Sequence, residues 1–388
     1  MKRKVIWVAP YPIELAKSDI KNRPMHSAPW VTALAQGLKT LVDLTIISTS
    51  SKIKKNESFS NNGITFHFIK TPSPLIDFLL LFNGTLINLR RFLFKNNFSE
   101  YDIVHFHGTE HQYAYAFKDV KIPKVISIQG LLHKSYIYNK EVNYNYFNWR
   151  ILKKYEIREI KQHQNFICRT HWDKKSVVDL NEKAITFENW EPLRQEFFND
   201  ACSYNSNNLV YIGGLVTMKG IKEVLIMFKY LSEKQNKFTL TICGKGNIDK
   251  LKKLQDKYGV SKYADRIIYK GRLNADELLQ LYKKSFCLIH PTYIDNSPNS
   301  VCEAQVAGLP VIASNVGGVS SLINHTKTGI LVERYQTLEI AEWIIKLKEN
   351  KDLYDVISST SRRECRERHN EQSIINKTLT IYNAIIND

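Results

Sequence analysis

Two carboxylates flank a short polar loop in the second half of this 388-residue sequence. Asp295 and Glu303 are separated by seven residues, Asn-Ser-Pro-Asn-Ser-Val-Cys. An apolar run that ends at His290 predicts a buried strand before the loop, and a helix is expected from about Ser300. A polar loop between a parallel strand and a helix N-terminus suits anions and hydroxyl groups, because backbone N–H groups point outward there.

The same residues also have a purely structural interpretation. Ser300 and Glu303 have the spacing of a capping box, in which the glutamate only bonds back to the start of its own helix. The pair taken alone leaves both interpretations open. Other motifs along the chain favour the functional one.

The stretch from residue 290 to residue 318 resembles the donor site of the family 4 retaining glycosyltransferases of GT-B fold. These enzymes, of the bacterial polysaccharide and lipopolysaccharide type, carry two acidic residues with seven others between them. Asp295 stands where the first is usually glutamate, and Glu303 is followed by Ala-Gln-Val-Ala-Gly-Leu-Pro-Val. The resemblance covers most of residues 207 to 335 and implies an α/β, GT-B fold of two Rossmann-like domains facing across a cleft.

The resemblance implies a glycosyltransferase that uses a nucleotide-diphosphate sugar. Glu303 would hold the ribose hydroxyls, Asp295 the sugar hydroxyls and Lys219 the diphosphate. Gly214 stands where the family usually has an arginine, so one cationic ligand is missing or comes from elsewhere. Further donor-site residues are expected in the glycine-containing loops and at the helix start: Gly213, Gly244, Arg272, Asn296, Ser297, Asn299, Ser300 and Val301.

The acceptor side is expected in the N-terminal half. Such enzymes often hold a histidine in a Ser-x-His-Gly-like loop, and here that loop reads Ser-Ile-Gln-Gly with Gln129 in the histidine position. A glutamine can hydrogen-bond a sugar but cannot titrate. His107 and Arg169 are the other expected acceptor-side residues. The residues expected to take part in catalysis are Asp295, Lys219 and Gln129.

A metal site has little support in the sequence. His105 and His107 would share one face of a strand, but only Glu110 or His111 lies close enough in the chain to add a third ligand. A core or site-lining role for the two histidines is therefore favoured. The sequence contains no DxD motif, so we expect no metal and no tightly bound cofactor, with the nucleotide sugar acting as a substrate.

Strand and helix patterns alternate along most of the chain, which predicts parallel sheets. Residues 189–207 lose this periodicity and mark a domain boundary. We therefore expect an N-terminal domain over residues 1–190 and a donor-binding domain over 207–370. The resemblance implies that a C-terminal helix, 371–388, crosses back to the first domain.

The composition is that of a folded intracellular protein. Apolar residues make up 43% of the sequence, which supports two hydrophobic cores. The six cysteines lack metal-binding spacing, and buried free thiols are expected. Neither a signal peptide nor an apolar run long enough to span a membrane is present, so a cytoplasmic location is expected.

A net charge of +17 favours anionic partners, which include nucleotide phosphates, nucleic acids and anionic membranes. Residues 73–98 read as a helix with a single apolar stripe, formed by Leu75, Leu79, Phe82, Leu86, Leu89 and Leu93. That stripe would pack in the core, or it would rest on lipid headgroups. The acceptor would be a glycan or a lipid-linked molecule, and peripheral binding to the inner membrane face is a candidate location.

Two other functions agree with parts of the sequence. A sugar-nucleotide epimerase would share the architecture but would act without an acceptor. A basic nucleic-acid-binding protein would account for the charge, but the sequence contains no recognisable nucleic-acid-binding module. We therefore expect no nucleic-acid partner.

Overall fold

The computed structural model describes residues 2–18, 28–139, 146–200, 203–234 and 237–388. Residues 19–27 lie outside these ranges, as does Cys202. The chain divides into two compact units, which are Met1–Pro192 with His369–Asp388, and Leu193–Arg368. Each unit is built on one sheet, and the α/β architecture expected from the sequence is confirmed.

The sheet of the first unit has eight strands in the order β3-β4-β2-β1-β5-β6-β7-β8. Every neighbouring pair is parallel except β3 and β4. Strand β1 lies inside the sheet and is almost wholly buried, as expected for a parallel strand that is covered on both faces. The strands are β1 (Lys4–Val8), β2 (Asp43–Ser50), β3 (Glu57–Asn61), β4 (Ile64–Lys70), β5 (Ile103–His107), β6 (Lys124–Ser127), β7 (Asn165–Cys168) and β8 (Ile185–Glu188).

Helices of the first unit precede or connect these strands. Those that contribute to its two apolar clusters do so on opposite faces of the sheet, with α1 and α2 in one cluster and α4, α5, α7 and α8 in the other. The helices in the described ranges are α1 (Ile13–Lys17), α2 (Pro29–Leu38), α3 (Pro74–Leu79), α4 (Gly84–Lys95), α5 (Tyr113–Ala116), α6 (Leu132–Asn139), α7 (Tyr146–Gln162) and α8 (His171–Leu180).

The prediction of a single helix over residues 73–98 is wrong. The chain forms α3 and α4 instead, separated by a turn in which Leu81 and Phe82 have φ angles of 50° and 62°. These left-handed residues end α3, so the expected stripe is broken. Leu86, Leu89 and Leu93 pack in the core, whereas Leu75 and Leu79 are about 70% exposed. The core interpretation therefore holds only for α4.

The sheet of the second unit has six parallel strands in the order β11-β10-β9-β12-β13-β14. The strands are β9 (Asn208–Ile212), β10 (Thr239–Cys243), β11 (Ile267–Gly271), β12 (Cys287–His290), β13 (Val311–Ser314) and β14 (Ile330–Val332). The helices are α9 (Ile221–Lys234), α10 (Ile248–Tyr258), α11 (Ala275–Lys283), α12 (Asn299–Ala307), α13 (Thr337–Glu349) and α14 (Lys351–Arg368). Strand order reverses between β9 and β12, and such a reversal is where parallel sheets usually bind ligands.

The last helix, α15 (Glu371–Asn387), belongs to the first unit. Its Tyr382 is fully buried, accepts a hydrogen bond of 2.9 Å from the indole N–H of Trp7 and is hydrogen-bonded over 2.6 Å to Nδ1 of His105. Apolar residues of α15 complete the same cluster as α2. The five described cysteines are buried and free, and none of the described helices has the length and apolar character of a transmembrane helix.

Helix α7 buries a carboxylate that makes stability depend on pH. Glu159 accepts a hydrogen bond from the backbone N–H of Tyr115, and burial raises the pKa of Glu159 to about 8. Between the ordinary glutamate pKa and about 8, the folded protein keeps a proton that the unfolded chain releases. The free energy of unfolding therefore falls as pH rises through this window.

We expect Glu159→Gln to flatten this slope by about 1 kcal/mol per pH unit, because glutamine keeps an acceptor for Tyr115 but carries no charge. Urea unfolding at pH 5.5, 7.5 and 9 measures the slope. Glu182→Gln, at an exposed position after α8, is the matched control and should leave the slope unchanged. An equal slope in wild type and Glu159→Gln would contradict the argument.

Candidate functional site

Lys219 and Asp295 meet at the carboxyl edge of the second sheet. Lys219 ends a short 3-10 turn after β9, and Asp295 lies in the loop after β12, so both follow strands at the reversal of strand order. The Lys219 Nζ donates to Asp295 Oδ2 over 2.6 Å. His290 Nε2 lies 3.6 Å from the same oxygen. Two residues that lie far apart in the chain are thus direct neighbours.

Close backbone packing brings the two loops together. Gly220 has a φ of 85°, and a Cβ atom there would lie 2.1 Å from the carbonyl oxygen of Pro291. Only glycine allows this approach without strain. On the other side, the N–H of Gly318 donates to the carbonyl oxygen of Asp295 over 2.9 Å, and a Cβ on Gly317 would lie 2.1 Å from that oxygen. Glycines therefore fix the Asp295 backbone from both sides of its loop.

The pKa of Asp295 reflects two opposing effects. Burial would raise it, but the charge of Lys219 and the neighbouring His290 hold it well below the usual aspartate range. Asp295 is therefore ionised at neutral pH. Burial lowers the pKa of His290, so the imidazole of His290 is neutral at the same pH. The Lys219 side chain remains 41% exposed, so its ammonium group can contact a second anion from the solvent side.

Glu303 lies on the second turn of α12 and is only 2% exposed. Its two oxygens accept from Nε and Nη2 of Arg194 over 2.8 and 2.9 Å, a bidentate pair. The capping-box interpretation is wrong, because α12 starts at Asn299, its N-cap residue is Pro298 and no side chain in the described part of the chain forms a cap hydrogen bond there. Each carboxylate oxygen has a further lone pair beyond the one that Arg194 uses.

The start of α12 presents a short polar segment next to this pair. Asn296 is buried, and its backbone N–H donates to Asp295 Oδ1 over 3.1 Å. The hydroxyl of Ser297 lies 3.8 Å from the thiol of Cys302, while Asn299 and Ser300 are half-exposed in the first turn. Val301 has a fully buried side chain, and its N–H donates to Pro298. Its side chain therefore lies in the core and not on the surface of the loop.

The glycines after β9 and β10 pack against each other. Gly214 has a φ of 60°, and a Cβ there would lie 2.4 Å from the backbone nitrogen of Lys245. The Gly214 N–H donates to Cys243, and the Gly244 N–H donates to Gly271. Gly213 lies against the ring of Tyr211. Arg272 comes directly after β11, at the same edge of the sheet.

A second polar group occupies the carboxyl edge of the first sheet. Arg169 is 7% exposed, forms an ion pair of 2.7 Å with Glu191 and donates to the backbone carbonyls of Ile128 and Gln129. The side-chain amide of Gln129 donates to the other oxygen of Glu191. Arg169 therefore holds the Gln129 loop, and its charge is compensated by Glu191.

His105 and His107 stack with ring centroids 4.1 Å apart, so the expected shared face is confirmed by the strand geometry. His105 uses both ring nitrogens, on Tyr382 and on Ser127. His107 is 3% exposed, and neither ring nitrogen has a hydrogen-bond partner among the described residues. Burial lowers the pKa of His107 to about 3. A small cavity beside it is also lined by Arg169 and Glu191. In the described ranges, no cluster of three or more His, Cys, Asp or Glu could hold a metal ion.

Three residues of these sites were missed in the sequence. Arg194 and Glu191 lie in the aperiodic segment that marked the domain boundary, and no local motif identifies their partners. Glu110 was considered only as a metal ligand. Its carboxylate accepts from the N–H of Gly130 over 2.8 Å, and burial raises its pKa to about 7. Gly108 and Gly130 pack against this carboxylate, and these two glycines were the signal available in the sequence.

The second unit also matches a known family. Residues 193–364 match the family model described as glycosyl transferases group 1. This part of the chain is therefore similar to that family. The group 1 region contains Lys219, Asp295, Glu303 and Arg194, and the resemblance to glycosyltransferases stated from the sequence is confirmed. Assignment to family 4 and retention of configuration stay predictions.

Relatives and solved structures agree with this assignment. The chain is 25% identical over 185 residues to the capsular polysaccharide biosynthesis glycosyltransferase CapM of Staphylococcus aureus, covering 47% of this chain and 48% of CapM. The chain spans about half the length of CapM and of the uncharacterized glycosyltransferase MJ1607 of Methanocaldococcus jannaschii.

Solved structures share the fold. Sucrose-phosphate synthase of Thermosynechococcus elongatus has a TM-score of 0.79 at 12% identity over 99% of both chains. HepE of Anabaena, solved with UDP-glucose, has a TM-score of 0.70 at 14% identity over 97% of this chain and 99% of its own. The expected GT-B fold is confirmed.

The Arg194–Glu303 pair predicts a stability effect that grows with pH. Burial raises the pKa of Glu303 and Arg194 opposes that rise, so Arg194→Ala should raise the pKa further. The folded variant then binds a proton that the unfolded chain releases, and its stability falls as pH increases. We expect a loss of about 2 kcal/mol at pH 8 and a smaller loss at pH 5, measured by urea unfolding.

Two controls separate charge from packing in this experiment. Adding Glu303→Gln to Arg194→Ala removes the uncompensated carboxylate and should recover most of the stability at pH 8. Arg363→Ala, at a side chain 68% exposed on α14, should have little effect at either pH. A loss of equal size at both pH values in Arg194→Ala would show that the guanidinium acts through packing alone.

Proposed function

We propose that the protein is a glycosyltransferase that moves a sugar from a nucleotide-diphosphate sugar to a glycan or lipid-linked acceptor, with retention of configuration. The observation that carries the proposal is the Lys219–Asp295 pair at the strand-order reversal of the group 1 region. It sets a cation for a departing diphosphate beside a carboxylate for sugar hydroxyls. The family match supports a transferase over the epimerase and nucleic-acid-binding alternatives.

Each donor-side residue has a role that its surroundings support. The exposed ammonium of Lys219 neutralises charge on the diphosphate as the sugar–oxygen bond breaks. Asp295 accepts hydrogen bonds from sugar hydroxyls, since its low pKa keeps it ionised. Glu303 accepts from the ribose hydroxyls with the lone pairs that Arg194 leaves. At the N-terminus of α12, where Asn299 and Ser300 lie, the positive end of the helix dipole and the free backbone N–H groups stabilise the phosphates.

The loops that carry Gly213, Gly214, Gly244 and Arg272 surround the nucleotide in this proposal, and Asn296, Ser297 and Val301 shape the sugar end. On the acceptor side, Gln129 hydrogen-bonds the reacting sugar and is oriented by Glu191. His107 and Arg169 complete the acceptor side, with Arg169 acting through the Gln129 loop that it holds. The acceptor hydroxyl proton passes to the departing diphosphate oxygen as the new glycosidic bond forms on the same face.

We also propose a setting for the reaction. CapM acts in capsular polysaccharide biosynthesis, which supports a role in bacterial surface polysaccharide synthesis. Such a protein works in the cytoplasm or peripherally on the inner membrane face, where a net charge of +17 favours anionic lipid. The nucleotide sugar is a substrate, and the proposed reaction uses no metal.

Donor binding tests the assignment of Glu303. With UDP-glucose as the probe, calorimetry should show at least tenfold weaker binding by Glu303→Ala, because even one hydrogen bond to a carboxylate contributes about 1.5–3 kcal/mol. Glu342→Ala, on the exposed side of α13, is the matched control and should bind like wild type. Unchanged affinity in Glu303→Ala would remove that residue from the donor site. If wild type binds none of a set of nucleotide sugars, the transferase proposal fails.

The reaction type is tested with the bound donor. Incubation with donor and a panel of glycan and lipid-linked acceptors should release nucleoside diphosphate together with a glycosylated product, measured by mass spectrometry. Lys219→Ala should lower kcat at least tenfold, whereas Lys222→Ala in the next turn should not. Release of an epimerised free sugar from donor alone, with no product in any acceptor reaction, would favour the epimerase instead.

A further inference from the structure

The turn region around α3 exposes an unusual run of apolar side chains, here called the apolar tip (residues 75–81). Six of its seven residues are exposed large hydrophobics, at fractions from 40% to 70%, and they are Leu75, Ile76, Phe78, Leu79, Leu80 and Leu81. Single exposed hydrophobics are normal on a protein surface. A contiguous group of this kind marks an interaction surface.

The apolar tip is held by specific hydrogen bonds. Its one polar side chain, Asp77, accepts from the N–H of Gly84 over 2.9 Å, and its carbonyl accepts from the N–H of Phe82 over 2.7 Å. The hydroxyl of Tyr155 donates to the carbonyl of Leu81 over 3.0 Å. Gln112 donates to the carbonyl of Phe82 over 3.1 Å. The polar groups of this turn are thus paired within the protein, while the apolar side chains face solvent.

The two helices next to the apolar tip in the fold or in the chain, α7 and α4, carry mainly basic side chains. Helix α7, which contributes Tyr155, carries five basic residues, of which Arg150, Lys154 and Lys161 are exposed. Its two acidic residues, Glu156 and Glu159, are fully buried and hydrogen-bonded to backbone N–H groups. Helix α4, which comes after the tip, has three basic residues and no acidic one. The exposed charge of these helices is therefore positive.

We propose that the apolar tip and the basic surface of α7 dock the protein on an anionic lipid surface. Stable peripheral binding requires two signals, insertable apolar side chains and electrostatic attraction, and this region supplies both. The tip residues enter the headgroup layer, and Arg150 and Lys154 pair with lipid phosphates. The docking does not depend on the proposed transferase activity, so failure of one leaves the other standing.

Flotation with vesicles tests the proposal. Wild type at low salt should float with vesicles of phosphatidylcholine and phosphatidylglycerol, and should stay behind with phosphatidylcholine alone. The variant Leu75→Glu/Leu79→Glu and the variant Arg150→Glu/Lys154→Glu should each bind anionic vesicles at least tenfold more weakly. The control Leu338→Glu/Val356→Glu changes two hydrophobics of the second unit that are about half exposed, and should bind like wild type. Thermal unfolding checks that all variants fold.

A fluorescence reporter distinguishes insertion from attraction by charge alone. Phe78→Trp should show a blue-shifted emission on adding anionic vesicles, and Leu338→Trp should not. Wild-type protein that stays with the soluble fraction overturns the proposal. Equal flotation of the Leu75→Glu/Leu79→Glu variant assigns binding to charge and removes the tip from it. A dimer in size-exclusion chromatography that the same variant dissociates, without flotation of wild type, identifies a second copy as the occupant.

Discussion

The candidate donor site depends on the compensation of buried charge. Asp295 and Glu303 both lie where burial disfavours an ionised carboxylate, and each has one cation within hydrogen-bond distance. The outcomes differ because the partners differ. Lys219 and His290 lower the pKa of Asp295 below its usual range, whereas Arg194 only partly offsets the rise that burial causes at Glu303. Removing one partner from such a pair costs more than the pair itself contributes.

The same constraint organises the first unit, with different groups. Glu156 is fully buried and accepts from the backbone N–H groups of Leu132 and His133, which are at the start of α6. Glu191 is compensated by Arg169, and that ion pair fixes the loop of Gln129. Glu159 has no cation in hydrogen-bond contact within the described part of the chain, and its pKa rises accordingly. Buried acids in this unit therefore act mainly through backbone amides and hold loop ends and helix starts in place.

Local periodicity and a recognisable motif were enough to single out Lys219 and Asp295, which the structure brings within hydrogen-bond distance. Strand β12 and the helix after it, α12, were located from an apolar run and the polar loop that follows it, and Lys219 and Asp295 from the family pattern. Arg194 could not be predicted, because its partner Glu303 is 109 residues away and aperiodic segments carry no periodic signal. The prediction of one helix over residues 73–98 was wrong because the spacing of leucines does not show where residues in the left-handed conformation end a helix. Leu81 and Phe82 adopt that conformation through tertiary hydrogen bonds from Tyr155 and Gln112.

The backbone leaves no room for a side chain at Gly214, the position at which the resemblance places the family's arginine. With a φ of 60° and only 2.4 Å between a Cβ and the nitrogen of Lys245, any side chain at this position would be strained and would collide with backbone. Within the proposed function, the diphosphate then has one basic side chain from this loop, Lys219, and part of its charge is already engaged by Asp295. Backbone N–H groups at the start of α12 must contribute correspondingly more to phosphate binding. Since these dipoles are fixed by the fold, they need little reorganisation when charge develops on the leaving group.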